Sequence, residues 1–322
     1  MPAAVEEIRA EKLLKELAGV WKELDSQDSN YAVVRACMLT LLVATTGEGD
    51  EQDIAGTLGE LMHSHPSRYI VLRLVDKPAP EFTARVFAQC QLAFGRRQQL
   101  CCEQIEFTAT RDHIPDFYAV ALGLTVADLP VMLWLRDARL LMDPAFHTVL
   151  PLARPLIIDS AQFVDALAGL AELERRRLAG WRVKDLAWSR LTVWRETVAQ
   201  MFETGPCRKL LPKIDRVEIK GRFGPTGSDV QYLAAWLAQR LPGAAIQASG
   251  SGVQRIRLVA GGQRLEVSDA GEALVATSLD GMVTRVPDPV RSDADLLDEE
   301  LSILGPDPTY DATLRAVARL SN

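Results

Sequence analysis

Cysteine is scarce and odd in number: the 322 residues hold five, Cys37, Cys90, Cys101, Cys102 and Cys207. No two stand at the Cys-x-x-Cys spacing of a zinc ribbon or dithiol motif, and an odd set in so long a chain argues against a secreted disulfide scaffold. With an opening Met-Pro-Ala-Ala-Val-Glu-Glu that has no basic and apolar leader, a reducing cytoplasm is expected. Histidine is rarer still, at four. His63 and His65 have no nearby cysteine or second ligand pair, so no metal site is expected. A basic excess is missing too, with 36 Lys plus Arg against 43 Asp plus Glu and a net charge of -7. Such a balance excludes a surface built to neutralise nucleic-acid phosphates. Long apolar runs are absent: the most membrane-like window, 118–135, is interrupted by Asp128 and Pro130 and ends at Arg136, so no membrane partner is expected.

Catalytic signatures are missing as well. Gly47-Glu48-Gly49 and Gly250-Ser251-Gly252 lack the third glycine of a dinucleotide fingerprint, and Gly224-Pro225-Thr226-Gly227-Ser228 lacks the Gly-Lys-Ser/Thr ending of a P-loop. No serine sits in a Gly-x-Ser-x-Gly elbow, and no pair of carboxylates is distinctive. No cofactor and no catalytic residue is expected. Cys101 and Cys102, being adjacent, point to opposite faces of a strand, which predicts one buried and one exposed.

What is present is ordinary globular material, 48% hydrophobic and 25% charged, long enough for two domains. Ile8, Leu13, Leu17, Val20, Trp21 and Leu24 recur at three- and four-residue steps and predict an amphipathic helix over 5–24. Apolar runs at 32–43, 68–74, 82–94, 100–108, 129–135 and 156–158 predict strands, with helices expected at 50–62, 115–122 and 161–177 between or after them. This alternation marks an α/β layer, and the consecutive strands over 82–108 add an antiparallel section, so the sheet is expected to be mixed. Ala187, Leu191, Trp194, Val198 and Met201 predict one long helix over 185–203. After Pro212 a strand (217–222) and a helix (229–241) precede four short segments at 253–260, 263–268, 273–278 and 282–286. Gly261-Gly262, Asp269-Ala270-Gly271 and Asp280-Gly281 separate them as tight turns, which predicts an antiparallel meander with Ile256 and Leu258 inward and Arg255 and Arg257 outward. Helices at 292–304 and 309–320 close the chain. The reading is therefore an α/β N-terminal domain with a mixed sheet over 1–211, including a long linking helix, and a smaller α+β C-terminal domain with an antiparallel meander over 212–322.

Two tryptophans and two arginines share the segment Asp185-Leu186-Ala187-Trp188-Ser189-Arg190-Leu191-Thr192-Val193-Trp194-Arg195-Glu196. Trp and Arg anchor protein interfaces because they join large contact area to directed hydrogen bonds, yet the same residues serve as core. Asp159 and Ser160 follow a predicted strand, where they either cap a helix or meet a ligand.

In order along the chain, His65-Pro66-Ser67-Arg68, Cys102-Glu103-Gln104-Ile105, Leu129-Pro130-Val131 with Leu133-Trp134, Leu156-Ile157-Ile158-Asp159-Ser160, and Asp185-Leu186-Ala187-Trp188-Ser189-Arg190-Leu191 with Trp194-Arg195-Glu196 resemble the glucose-6-phosphate dehydrogenase assembly protein OpcA family. The resemblance spans about residues 30 to 290; Val193 stands where relatives often carry Pro. It implies an N-terminal α/β domain, a C-terminal domain, and a non-catalytic role as partner and activator of glucose-6-phosphate dehydrogenase. Trp188, Arg190, Trp194, Arg195 and Arg68 are then the expected contributors to the partner surface or its bracing. The alternatives are a sensor that binds a sugar phosphate or nucleotide near Asp159 or Gly224–Ser228, and a transferase whose site is assembled from distant residues.

Overall fold

The computed structural model describes residues 8–26, 32–47, 51–77, 81–92, 98–203, 205–222, 224, 226–279, 281–303 and 305–319. In chain order, the first elements are α1 (Ala10–Ser26), β1 (Ala32–Arg35), β2 (Leu39–Thr45), α2 (Glu51–Leu61), β3 (Ser67–Leu74), β4 (Phe82–Leu92) and β5 (Gln98–Ala109). Next come α3 (Ile114–Leu124), β6 (Val131–Leu135), β7 (Leu156–Ile158), α4 (Ala166–Leu178) and β8 (Val183–Asp185). The chain continues with α5 (Leu186–Ser189), α6 (Thr192–Met201), α7 (Gly205–Arg208), β9 (Arg216–Gly221) and α8 (Ser228–Arg240). It ends with β10 (Ala245–Ser251), β11 (Arg255–Ala260), β12 (Gln263–Asp269), β13 (Ala273–Thr277), β14 (Val283–Pro287), α9 (Asp293–Ser302) and α10 (Pro308–Ala318).

These elements form two compact units: Met1–Asp159 with Trp181–Lys184 and Asp293–Ser302, and Ser160–Gly180 with Asp185–Ser292 and Ile303–Asn322. Both are discontinuous in sequence, whereas the division expected at 211/212 is a single cut.

The first unit is built on an eight-stranded sheet of order β1-β5-β3-β2-β6-β7-β8, with β4 paired to β5. Every residue of β2 and β3 is buried, which explains why these segments read as continuous apolar runs: a parallel strand covered on both faces has no solvent side to alternate with. The β1·β5, β5·β3, β3·β2, β2·β6 and β6·β7 ladders are parallel, and β4·β5 is antiparallel, as the consecutive run over 82–108 suggested. Ala93 and Phe94, expected in that run, lie outside the described residues, as do Glu48 and Gly49 of the glycine pair and Asp50, the first residue of the helix expected over 50–62. Cys101 and Cys102 are both fully buried. The expectation that one would be exposed fails because β5 lies inside the sheet with interior on either side. Register also places Cys90 opposite Cys101, and the two form a disulfide that nothing in the spacing of the five cysteines foretells.

The second unit carries a six-stranded sheet of order β10-β9-β11-β12-β13-β14. The meander β11 to β14 is antiparallel throughout, but β10 pairs parallel to β9, so the sheet as a whole is mixed and richer than expected. Val217, Ile219, Ile256, Leu258, Leu265, Val267, Leu274 and Ala276 alternate onto one face and are buried, with α8 packed on β9 and β10 and α6 on β12 and β13. The helices α4 and α10 add a second layer against α8.

The long helix expected over 185–203 is broken at Arg190 and Leu191. An unbroken helix would bond the Trp188 carbonyl to the amide of Thr192. Here that carbonyl accepts from the Leu191 amide at 3.0 Å and from Arg195 Nη1 at 2.7 Å, and the chain turns. The helix expected over 161–177 starts later, at Ala166, because Asp165 rather than Asp159 or Ser160 caps it by accepting from the Ala168 amide at 3.0 Å.

Candidate functional site

The Asp185 to Glu196 segment is a junction inside the second unit. Asp185 is 1% exposed, and its carboxylate gathers three donors. Oδ1 accepts the Ser160 amide at 3.0 Å and the Ala187 amide at 2.9 Å, and Oδ2 accepts the Tyr232 hydroxyl at 2.5 Å. The buried Tyr232 phenol is held far above its ordinary pKa by desolvation and by the adjacent Asp185 charge, so it remains a donor. Trp188 stands beside it, edge-on to Tyr232 at 5.5 Å and tilted against Tyr310 at 5.8 Å. Its indole donates to Asp307 Oδ2 at 3.0 Å, and the Arg195 guanidinium lies over its ring at 3.5 Å from the centroid.

Trp194 is buried on α6, beneath the sheet, and hydrogen-bonds Asp288, which follows β14. Burial and the neighbouring Asp269 raise the Asp288 pKa against the pull of Arg291, Arg222 and the indole. Trp188 and Trp194 are therefore core anchors, at 4% exposure each, while Arg190 and Arg195 are half-buried at the rim. The segment brings four of the five expected residues together. Asp185 opens the quoted motif without a role assigned to it, and Tyr232, Tyr310, Asp307 and Asp288 were missed because lone Asp and Tyr residues spread over tens of positions carry no local pattern.

Arg68 belongs to the first unit and is buried at the sheet, 8% exposed. Its Nε and Nη2 reach Glu103 Oε2 at 2.7 and 2.6 Å, and Nη1 donates to the Leu124 carbonyl at 2.7 Å. Glu103 also accepts the Trp21 indole at 2.8 Å and pairs with Arg35, whose guanidinium rests on the Trp21 ring. Charge burial is tolerated here because every charge is answered.

Of the two places expected to meet a metabolite, Asp159 directly follows β7 and is buried at 8% exposure, and the Gly224–Ser228 loop leads into α8. In the Gly224–Ser228 loop, Pro225 lies outside the described residues. At the start of α8, burial raises the pKa of the Asp229 carboxyl against the opposing pull of nearby backbone amides and the Arg222 charge. The strand order of the parallel sheet reverses between β2 and β6, the kind of switch point at which open α/β sheets bind ligands. There Asp137 accepts from Thr46 and from Arg139 Nε and Nη2 at 2.9 and 2.7 Å, and Arg136 pairs with Asp53. Burial pushes Asp137 up, but the Arg139 and Thr46 bonds leave its carboxyl below the usual range. Among the described residues no group of three or more His, Cys, Asp or Glu could hold a metal ion, and no helix is long and apolar enough to cross a membrane.

Two family models match the chain. The N-terminal domain of the glucose-6-phosphate dehydrogenase subunit matches residues 59–175, and its C-terminal domain matches residues 170–314. Proteins carrying the name OxPP cycle protein OpcA are similar in sequence. That of Nostoc punctiforme is 29% identical over 203 residues, covering 61% of this chain and 43% of that protein. That of Synechocystis is 27% identical over 188 residues, covering 58% and 39%. The matched stretch thus spans about two fifths of the length of these relatives. Solved structures with a similar outline include a 3-ketoreductase from Actinomadura kijaniata (TM-score 0.47, 9% identity, 88% of this chain and 95% of that one). Biliverdin reductase from Synechocystis is another (TM-score 0.45, 9% identity, 88% and 98%). Likeness at this level carries no argument about activity. Both domain models match in their expected order and together cover residues 59–314, and the chain belongs to the glucose-6-phosphate dehydrogenase assembly protein OpcA family.

Proposed function

We propose that this chain is a non-catalytic cytoplasmic partner of glucose-6-phosphate dehydrogenase that assembles or activates the enzyme and so supports the oxidative pentose phosphate pathway. The observation that carries the reading is the match of both domain models over most of the chain.

An activator must bind the active state of its partner more tightly than the inactive state. A differential of about 1–3 kcal/mol shifts that equilibrium roughly 5- to 150-fold. Nicotinamide cofactor and sugar phosphate then belong to the dehydrogenase. Within this chain, Trp188, Trp194 and Arg68 brace the fold from inside, and Arg190 and Arg195 are the members of the motif with side chains at the surface. The test is to assay the purified cognate dehydrogenase with and without the chain and to run both on a sizing column. Co-elution with raised kcat or lowered KM is expected. Unchanged kinetics with separate elution overturns the reading.

A further inference from the structure

The second unit's sheet has one face buried against helices and one face bare. On β9, β11, β12, β13 and β14 the residues alternating with the buried set are half-exposed or exposed, and among the described residues α6 and α8 are the helices with more than a weak contact to this sheet. Register brings the polar positions into rows: Lys220, Arg255 and Ser268 lie side by side, as do Glu218, Arg257 and Glu266. Arg216 and Arg264 flank Val259, and Arg285 lies opposite Val275. The bare face therefore carries six basic side chains, Arg216, Lys220, Arg255, Arg257, Arg264 and Arg285, against two acidic ones, Glu218 and Glu266. The whole chain, by contrast, has a net charge of -7.

Both acids are already engaged. Arg257 reaches Glu218 at 3.0 Å and Glu266 at 2.9 Å, and Arg216 reaches Glu218 at 3.1 Å. This central ladder is neutralised from within, and Lys220, Arg255, Arg264 and Arg285 surround it with no ion pair among the described residues. Four unanswered cations on a rigid sheet, in an otherwise acidic molecule, raise the local potential and favour a partner of opposite sign.

The geometry points to the bare face of this sheet as the docking surface for an acidic patch on the dehydrogenase, an inference that rests on the partner reading above. A protein surface fits better than the other polyanions. The strands β9 to β14 contain no Phe, Tyr or Trp, so there is no platform on which bases could stack. A second copy related by a two-fold axis would set this cationic face against itself and repel. Exposed Val283 and half-exposed Val259 and Val275 supply small apolar contacts between the charges. The motif sequence acts from behind: the buried Trp194 lies on α6, which packs on β12 and β13.

The experiment measures affinity for the purified cognate dehydrogenase at low and high salt. It compares the intact chain, a variant with Lys220→Glu, Arg255→Glu, Arg264→Glu and Arg285→Glu, a milder variant with Gln at the same positions, and a control with Arg208→Glu and Lys209→Glu at the exposed end of α7 and the turn after it. Circular dichroism and melting temperature establish that each is folded, and the Gln variant carries the test if the Glu variant does not fold. The expected result is salt-sensitive binding by the intact chain, a loss of about tenfold or more in the sheet variants, and no such loss in the control. Equal binding by the intact chain and the sheet variants overturns the surface while leaving the partner reading in place. No binding by the intact chain overturns both. A homodimer that dissolves only in the sheet variants, or binding to single-stranded nucleic acid that only they lose, assigns the face to that occupant and overturns the proposal.

Discussion

Glu103 and Arg68 form a charge pair with side-chain exposures of 5% and 10%, inside a sheet whose buried residues are mostly apolar. The Coulomb gain of such a pair is largely cancelled by desolvation, but removing one partner leaves the other charge buried and unanswered. Glu103→Gln is therefore expected to cost about 3–5 kcal/mol in urea unfolding, and the paired change of Glu103→Leu with Arg68→Met less than the two single costs added. Asp288 is the opposite kind of residue. Burial and Asp269 raise its folded pKa, so the folded state binds the proton more strongly than the unfolded chain. Its contribution to stability therefore grows as pH falls through the raised value and is lost as pH rises above it. Asp288→Asn, which keeps an acceptor for Trp194 without the charge, is expected to melt higher than the wild type at pH 7. That advantage should shrink as pH falls towards about 4, the ordinary aspartate range. A pH series of melting curves for both proteins checks this.

At the scale of elements, local pattern and fold agree closely where a segment has a single environment. The helix over 229–241 and the four meander strands are found within two or three residues of their expected limits, and Arg255 and Arg257 face outward from Ile256 and Leu258. The short β8 and β10 were not expected, because three residues of one and the polar Ala245–Ser251 of the other have no strand pattern of their own. They are strands by virtue of the neighbours they pair with. Close approach is similarly invisible in sequence. At the end of β9 a Cβ on Gly221 would fall 2.5 Å from the Gly224 carbonyl oxygen and 2.3 Å from Val230 Cγ2. In an open strand Gly→Ala gains roughly 0.5–1 kcal/mol. Here Gly221→Ala is expected to destabilise by roughly 1–3 kcal/mol, since a backbone oxygen cannot swing aside. Thermal unfolding reads the sign directly.

For the whole molecule, the junction between the two family models near residues 170–175 is not where the compact units divide. The first unit takes Trp181–Lys184 and Asp293–Ser302 from later in the chain. Within it, the Leu156 amide bonds the Arg182 carbonyl at 2.8 Å, Lys184 pairs with Glu300 at 3.0 Å, and His65 meets Asp298. A fragment of residues 1–175 would expose the edge of β7 and the apolar surface that α9 covers on α2. It is expected to unfold at lower urea concentration than the full chain and to be cut faster by protease, measurements that a self-sufficient 1–175 domain would contradict.

The amino-acid sequence by itself determined the periodic elements, the α/β and α+β character of the two halves, the inward and outward sides of the meander, and the family. Each of these depends on residue type and spacing along a few neighbouring turns or strands. Only the tertiary structure decided that Cys90 meets Cys101, that Glu103 answers Arg68, that both tryptophans of the Asp185 motif are interior, and that one charged face of the second sheet is left bare. Those outcomes depend on strand register and on which elements pack together, and residues dozens of positions apart acquire a shared environment only when the chain has folded.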